Sequence, residues 1–525
     1  MRRFGQRPSP ASVLLKAPLL ALALGLPCWA GAQAFSGSLL DAVALTLRRD
    51  ASIASARQQI AASEGQLLSA RVPFDTLWTA GMSQQKSVMP ASGGAALDST
   101  QLAYQAGVSQ RMASGIVINP TASVNRLHDA FNNDTAPSIG NVALNVVIPL
   151  RKGAGSNVVT APVTAAELSL QASRNSYRHV QAQAVVRTVN AYWGVVAAGQ
   201  NLELLSLAES RAGELLSNAR KLARADEIPR SDLLKYEVRL VAQESNRLNA
   251  ALQLRQAAQA LSQAMNVPIL SLEATLLGLD PFPKAEDARL ALLDDPAAVE
   301  RLLAGSAEHR ADLRSAEQAL GAVNTLADAA RRNSGTQLDL GLRVGYNGMT
   351  EGRAGVATLG ALGQSVHGAN VGITLNFTLP SGDFERRGLI LQRDAAAGQA
   401  RTDLDALRLR AESDARTQLD ALRAAIRQLD KASTERRLQT TIFENEKRSY
   451  KAGLTTLLDL FTTESQLTAY QTGWVRAQLN FAQALVLFRF QTASLLAHGT
   501  DELDGPESHL LQASSLTTLP QDINN

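Results

Sequence analysis

The chain has 525 residues, of which 4% are aromatic and 19% charged, with a formal net charge of +3. Of its 51 basic residues, Arg2, Arg3, Arg7 and Lys16 precede the first acid, Asp41, so the remainder holds 47 basic against 48 acidic residues. That balance leaves no basic field for nucleic acid. Few aromatics and long stretches of Ala, Leu, Gln, Arg and Ser point to extended helices rather than a compact enzyme.

Residues 1–32 read as a secretory signal peptide, with the three arginines as its basic start and Ala17 to Ala30 as its apolar stretch. Ala30-Gly31-Ala32 and Ala32-Gln33-Ala34 fit a small-x-small cleavage site. The single cysteine, Cys28, follows Pro27, a poor fit to an acylation site. Cleavage after Ala32 leaves a chain without thiols, as suits an exported protein that uses no disulfides. No later apolar run reaches the roughly 18–20 residues of a membrane-spanning helix, so any crossing needs strands closed into a barrel.

From Leu39 to Arg71 an Ala-rich helix is expected, leading into strands. Phe74, Thr76, Trp78, Ala80 and Met82 share one face of an alternating run, and Val142, Leu144, Val146 and Ile148 share another, which places a β-hairpin at about 74–150. A helical hairpin follows at about 160–267. Its first arm has no proline between Pro162 and Pro229, and a helix from Pro162 to Ala225 would be ~95 Å long. Val195, Ala198, Leu202, Leu205, Ala212, Leu216 and Ala219 form its 3–4 seam.

The second half runs the same way. Leu338, Leu340, Leu342, Val344 and Tyr346, then Val371, Ile373, Leu375, Phe377 and Leu379, alternate with polar or small residues in a hairpin at about 337–380. No proline occurs between Pro380 and Pro506. A second helical hairpin is expected at about 383–497, where Leu460, Leu467, Trp474, Phe481 and Phe488 recur at seven-residue intervals. That beat specifies coiled-coil packing. The strands alone fit a soluble sandwich or a membrane barrel equally well. Residues 499–525 mix Asp, Pro, Ser and Asn and read as a loose tail.

Ordered matches link the halves. Ser55-Ala56 and Ala70-Arg71 recur 260 positions later at Ser315-Ala316 and Ala330-Arg331. Asn141–Asn145 aligns with Asn370–Thr374 at 229, and Asp232-Leu233 with Glu237 aligns with Asp459-Leu460 and Glu464 at 227. Their shared order implies two structural repeats, 33–268 and 269–498. The drop from 260 to 229 implies about 31 extra residues in the first copy, within the Gly-, Ser- and Asn-rich segment Pro90–Gly140.

Tyr450-Lys451-Ala452-Gly453-Leu454-Thr455-Thr456-Leu457-Leu458-Asp459-Leu460 resembles the second helix–turn–helix tip of the TolC-like outer-membrane efflux and secretion channels. Ile228-Pro229-Arg230-Ser231-Asp232-Leu233-Leu234 resembles the matching first tip. Ala191-Tyr192-Trp193, and Ile148-Pro149-Leu150 followed by Lys152-Gly153-Ala154-Gly155, also fit the family. The resemblance spans about residues 35–500 through an ordered set of weak motifs. It implies a mainly α chain with a small β part: coiled-coil hairpins plus four transmembrane strands per subunit, and a homotrimer closing one twelve-stranded barrel above a periplasmic helical tube. It further implies a passive export conduit in outer-membrane lipid, serving a periplasmic adaptor and an inner-membrane pump or ABC transporter, in a tripartite efflux pump or a type I secretion system.

On that resemblance the gate candidates are Asp459, Thr462, Asp232 and Arg230, and the adaptor-contact candidates are Gly453, Leu454, Thr455, Asp226 and Ile228. Asp459 either contributes to an acidic ring or caps the last long helix; the two roles are compatible. Thr462 stands where some family members carry a second acid, which argues against a double acidic ring. Asp232 reads as a helix-start residue and Arg230 as solvated surface or a tip ion pair. Asp226 stands where the second tip has Gly453, so the first tip either turns differently or holds Asp226 in an unfavourable conformation. No cofactor or metal is expected, since the six histidines are scattered and the dinucleotide, phosphate-loop and nucleophile-elbow patterns fail. The alternative is a periplasmic coiled-coil adaptor, for which one hairpin between small β domains is expected.

Overall fold

A proline-free, alanine-rich helix of more than sixty residues outruns any compact core and needs neighbours along its whole length. The computed structural model describes residues 37–90, 96–129, 138–268, 279–284, 296–333, 335–350, 366–379 and 382–496. The signal peptide, Cys28 and the tail from 499 lie outside them.

Two helices open the described chain, α1 (Leu39–Arg49) and α2 (Ala51–Arg71). The single helix expected there is broken at Asp50, whose carboxylate accepts hydrogen bonds from the amides of Ser52 (2.7 Å) and Ile53 (3.3 Å) and so caps α2. After the strands come the short α3 (Ser156–Val159), the 64-residue α4 (Ala161–Arg224) and α5 (Leu233–Met265). In the second half, α6 (Pro296–His309) and α7 (Ala311–Arg332) precede two strands. The 68-residue α8 (Phe384–Lys451) and α9 (Leu457–Gln491) complete the fold. At 1.5 Å per residue, α4 and α8 are each about 100 Å long.

Each long helix is covered by shorter helices laid end to end. Helix α4 packs on α2 and α7 along its first half and on α5 toward its end, with α9 beside it. Helix α8 packs on α7 near its start and on α9 toward its end. Most of the expected seam is used: Leu460, Leu467, Phe481 and Phe488 of α9 are buried, while Trp474 is half-buried beneath the Arg436 guanidinium, 3.9 Å from its ring centroid.

The thickest core lies where α1, α2, α4, α5 and α9 meet, around the fully buried Tyr192 and Trp193. Trp193 stacks on Phe282 at 5.3 Å. The Tyr192 hydroxyl donates to the Gly37 carbonyl (2.8 Å) and accepts from the Asp280 amide (2.7 Å), tying two connecting segments to α4.

The strands form one antiparallel sheet in sequence order: β1 (Leu77–Pro90), β2 (Ala96–Arg111), β3 (Val117–Asp129), β4 (Ser138–Pro149), β5 (Gln337–Thr350) and β6 (Val366–Thr378). This corrects the expected four strands to six. The first half holds two hairpins rather than one, because its extra residues pair as the separate strands β2 and β3 instead of lengthening the strands and loop of a single hairpin. Phe74, expected in the first strand, instead sits in a 3-10 turn, Val72–Phe74.

Cross-strand partners share a face, and the register shows what each face carries. One row runs Ala80, Ala106, Ala122, Val142, Tyr346, Ala369 across all six strands. The adjacent row on the other face runs Gly81, Gln105, Ser123, Asn141, Asn347, Gly368. Much of the apolar face is exposed, with Trp78 77% and Val371 76% exposed, although Val124 within it is buried. The two halves of the sheet meet at β4 and β5.

Removing the Tyr192 hydroxyl leaves a buried amide and carbonyl unpaired, so Tyr192→Phe is expected to cost about 1–3 kcal/mol. Chemical denaturation of the purified protein measures this, and an unchanged midpoint would show that those two bonds contribute nothing.

Candidate functional site at the hairpin tips

Helices α4 and α8 end in turns of the same geometry, 227 positions apart. At the first, the Glu227 amide donates to the Leu222 carbonyl (2.9 Å); at the second, the Leu454 amide donates to the Ser449 carbonyl (2.9 Å). Each bond spans a residue in the left-handed region, Asp226 at φ 56° and Gly453 at φ 71°. This 6→1 closure satisfies a carbonyl that the helix end leaves orphaned. Of the two expectations for Asp226, the second is the one observed: the turn is unchanged and an aspartate occupies a glycine's conformation.

The helices that leave the turns start differently. Thr456 and Asp459 form a reciprocal capping box on α9: the Asp459 amide donates to Thr456 Oγ1 (3.2 Å), and Asp459 Oδ2 accepts from the Thr456 amide (3.1 Å) and hydroxyl (2.6 Å). Those bonds, the hydroxyl's foremost, hold the exposed Asp459 carboxyl below the usual carboxylate range. The matching position to Thr456 in the first tip is Pro229, which has no hydroxyl. The chain there enters a 3-10 turn, Arg230–Asp232, before α5, and Asp232 pairs with Lys235 (2.9 Å) instead of capping. Arg230 is exposed and makes no ion pair with another described residue.

Both hairpins share one core at this end. Leu215, Leu216 and Ala219 of α4, Tyr236 of α5, Phe443 of α8, and Leu457, Leu460 and Leu467 of α9 pack together, with Ile228 against them. Ile228 therefore belongs to the tip core, whereas Leu454 is 79% exposed. Thr455 is half-buried, and its hydroxyl has no partner among the described residues. Thr462 is exposed, its hydroxyl donating to the Leu458 carbonyl of its own helix (3.0 Å).

The most buried charge of this region is Glu464, 1% exposed. Arg211 Nε of α4 lies 3.1 Å from its Oε1, Arg239 Nη2 of α5 lies 3.3 Å from its Oε2, and Thr468 Oγ1 donates to Oε1 (2.9 Å). Arg239 also lies over the Phe461 ring, 5.3 Å from its centroid. One carboxylate of the second hairpin is thus clasped by both arms of the first. Glu237, which occupies the matching position in the first half, does not share this role: it pairs with Arg220 (3.0 Å) at the surface. The arginines of Glu464 lie 253 and 225 positions away, so no local spacing announces them.

Among the described residues, no helix is long and apolar enough to cross a membrane, and no group of three or more His, Cys, Asp or Glu is placed to hold a metal ion.

The tip chemistry gives a paired prediction. Gly453→Ala forces a Cβ into the left-handed turn and is expected to cost about 1–2 kcal/mol, while Asp226→Gly relieves strain and is expected not to destabilise. Thermal unfolding followed by circular dichroism compares them; equal effects of one sign would show that the two turns differ in solution.

No family model matches the sequence, and no curated protein matches it either. Solved structures do match. The outer-membrane channel OprN aligns with a TM-score of 0.65 at 13% identity, over 87% of this chain and 90% of that one. The CmeC outer membrane channel of Campylobacter jejuni aligns at 0.63 and 15%, over 92% and 90%. The MtrE outer membrane channel of Neisseria gonorrhoeae, in its open state, aligns at 0.59 and 16%, over 86% and 88%. The chain has the fold of the TolC-like outer-membrane channels.

Proposed function

We propose that the chain is the outer-membrane channel subunit of a tripartite efflux pump or a type I secretion system, a passive conduit and not an enzyme. The observation that carries this reading is a sheet with one largely exposed apolar face and one polar face, set at the far end from the tips of two helices about 100 Å long. Such a sheet suits lipid on one side and water on the other, and helices of that length suit a tube projecting into the periplasm. Closing the sheet calls for more than one copy, and a homotrimer is the assembly the resemblance implies. The adaptor alternative loses its support, because the strands form one continuous sheet and the chain carries two hairpins. The two similar tip turns, 227 positions apart, support the division into repeats at 33–268 and 269–498.

The tips are the gate in this reading. Glu464 locks the second hairpin to the first, and partner binding opens the conduit by swinging one hairpin outward, a two-state element. The exposed Leu454 beside Gly453 and Thr455 offers the periplasmic adaptor its contact, with the exposed Asp226 at the other tip, where Ile228 packs inward and supports the turn. An inner-membrane pump or ABC transporter supplies the energy.

Negative-stain electron microscopy of the detergent-extracted protein tests the assembly. Three-fold particles with a helical tube on the order of 100 Å support it, and compact monomers needing no detergent refute it. The gate has its own test. Breaking a buried ion pair by removing one partner costs about 3–5 kcal/mol, so Glu464→Ala is expected to raise leak conductance in planar bilayers severalfold. Asp459→Ala removes the capping carboxylate and any acidic ring together, and is expected to raise conductance and weaken cation preference. Unchanged currents in either variant take that residue out of the gate.

A further inference from the structure

We propose that the two free edges of the sheet, β1 and β6, are docking surfaces for further copies of this chain, and that three copies close a barrel of eighteen strands instead of twelve. The inference rests on the conduit reading and deepens it.

The added strands belong to the wall. β2 and β3 lie between β1 and β4 in the sheet, so the hairpin cannot fold away without breaking the ladder on both sides. It carries the same division of faces as its neighbours: Tyr104, Ala106 and Val124 on the apolar side, Gln105, Ser123 and Asn125 on the polar side. Its turn is anchored. The Gly155 amide donates to the Ser114 carbonyl (3.1 Å), and a Cβ on Gly115 would meet the Gly153 carbonyl oxygen at 2.2 Å. A hairpin seated against the start of the helical part, and split into apolar and polar faces in register with the rest, is wall and not plug.

The edges then need a partner. β1 and β6 each pair on one side only among the described residues, leaving rows of backbone amides and carbonyls beside the apolar face. One chain cannot satisfy them by itself. Eight strands already enclose only enough space for side chains, so a closed barrel of six has no room for this polar face. A second copy fits. The strands alternate in direction, so β6 of one copy running beside β1 of the next continues the antiparallel order. Three copies of six strands make eighteen, in the range where barrels hold an open aqueous lumen. Diameter grows roughly linearly with strand number, so the barrel is about 1.5-fold wider than one of twelve strands, and its lumen widens by more than that because the wall keeps its thickness. Amides such as Gln105, Asn141, Asn145 and Asn347 lie on the polar face together with Arg343, which suits passage of bulky hydrophilic cargo.

Cryo-electron microscopy of the unmodified protein in detergent counts the strands, and disulfide trapping identifies the edges. Ser83→Cys on β1 is combined in turn with Gly372→Cys, Thr374→Cys and Asn376→Cys on β6, so that one register places thiols opposite each other between copies. Three-fold particles with eighteen strands, together with an oxidised covalent trimer from one of the pairs, are the expected result. Three-fold particles with twelve strands would overturn the inference and leave the conduit intact. So would trimers in which none of the pairs cross-links. Monomers without a barrel would overturn the conduit reading itself.

Discussion

Two helices about 100 Å long cannot be wrapped by a compact core and must be accompanied along their length, and the placing of the shorter helices follows from that need. The chain answers by laying shorter helices end to end over each long one, α2 and α5 over α4, α7 and α9 over α8. Stability is therefore strung out along the molecule. The core around Tyr192 and Trp193 is its thickest point, and the tip core is a smaller cluster shared by both hairpins. Between the hairpins at that end, apolar packing is supplemented by the Arg211–Glu464–Arg239 clasp. A charge buried so deeply adds little net stability when paired, but losing its partners is costly. That asymmetry suits a contact that must be either made or fully released.

The sheet obeys a second form of the same rule. As a lipid-facing wall, the role proposed for it, the sheet would offer its backbone groups no water, so each strand needs two neighbours. Six strands with alternating faces meet that demand everywhere except at β1 and β6. Both edges sit on the same sheet as the largely exposed apolar face, so in the proposed reading association and membrane insertion are linked demands of one surface.

The two tips show how one backbone geometry tolerates different chemistry. Gly453, Thr456 and Asp459 give the second tip an unstrained turn and a capped helix. Asp226, Pro229 and Asp232 give the first a strained turn and an uncapped 3-10 start. Local order at the first tip leans on the packing of Ile228, Leu233 and Tyr236 rather than on capping, which makes it the tip more dependent on its neighbour.

The long helices, their seven-residue seam and the alternating strands were legible in the sequence, because each is a periodicity of the local chain. The 227-residue offset between the tips was legible too, as was the capping role open to Asp459. Strand number was not. An excess of about 31 residues in the first half has the same composition whether it forms a loop or a hairpin, and only pairing with β1 and β4 on either side decides. Nor could the sequence separate Glu464 from Glu237, which occupy matching positions. Their difference is burial, set by arginines from two other helices hundreds of residues away. Periodicity determined which elements form and which face each one hides. Only the tertiary arrangement decided which strands adjoin and which charge is sealed between the hairpins, because both depend on contacts with no fixed spacing along the chain.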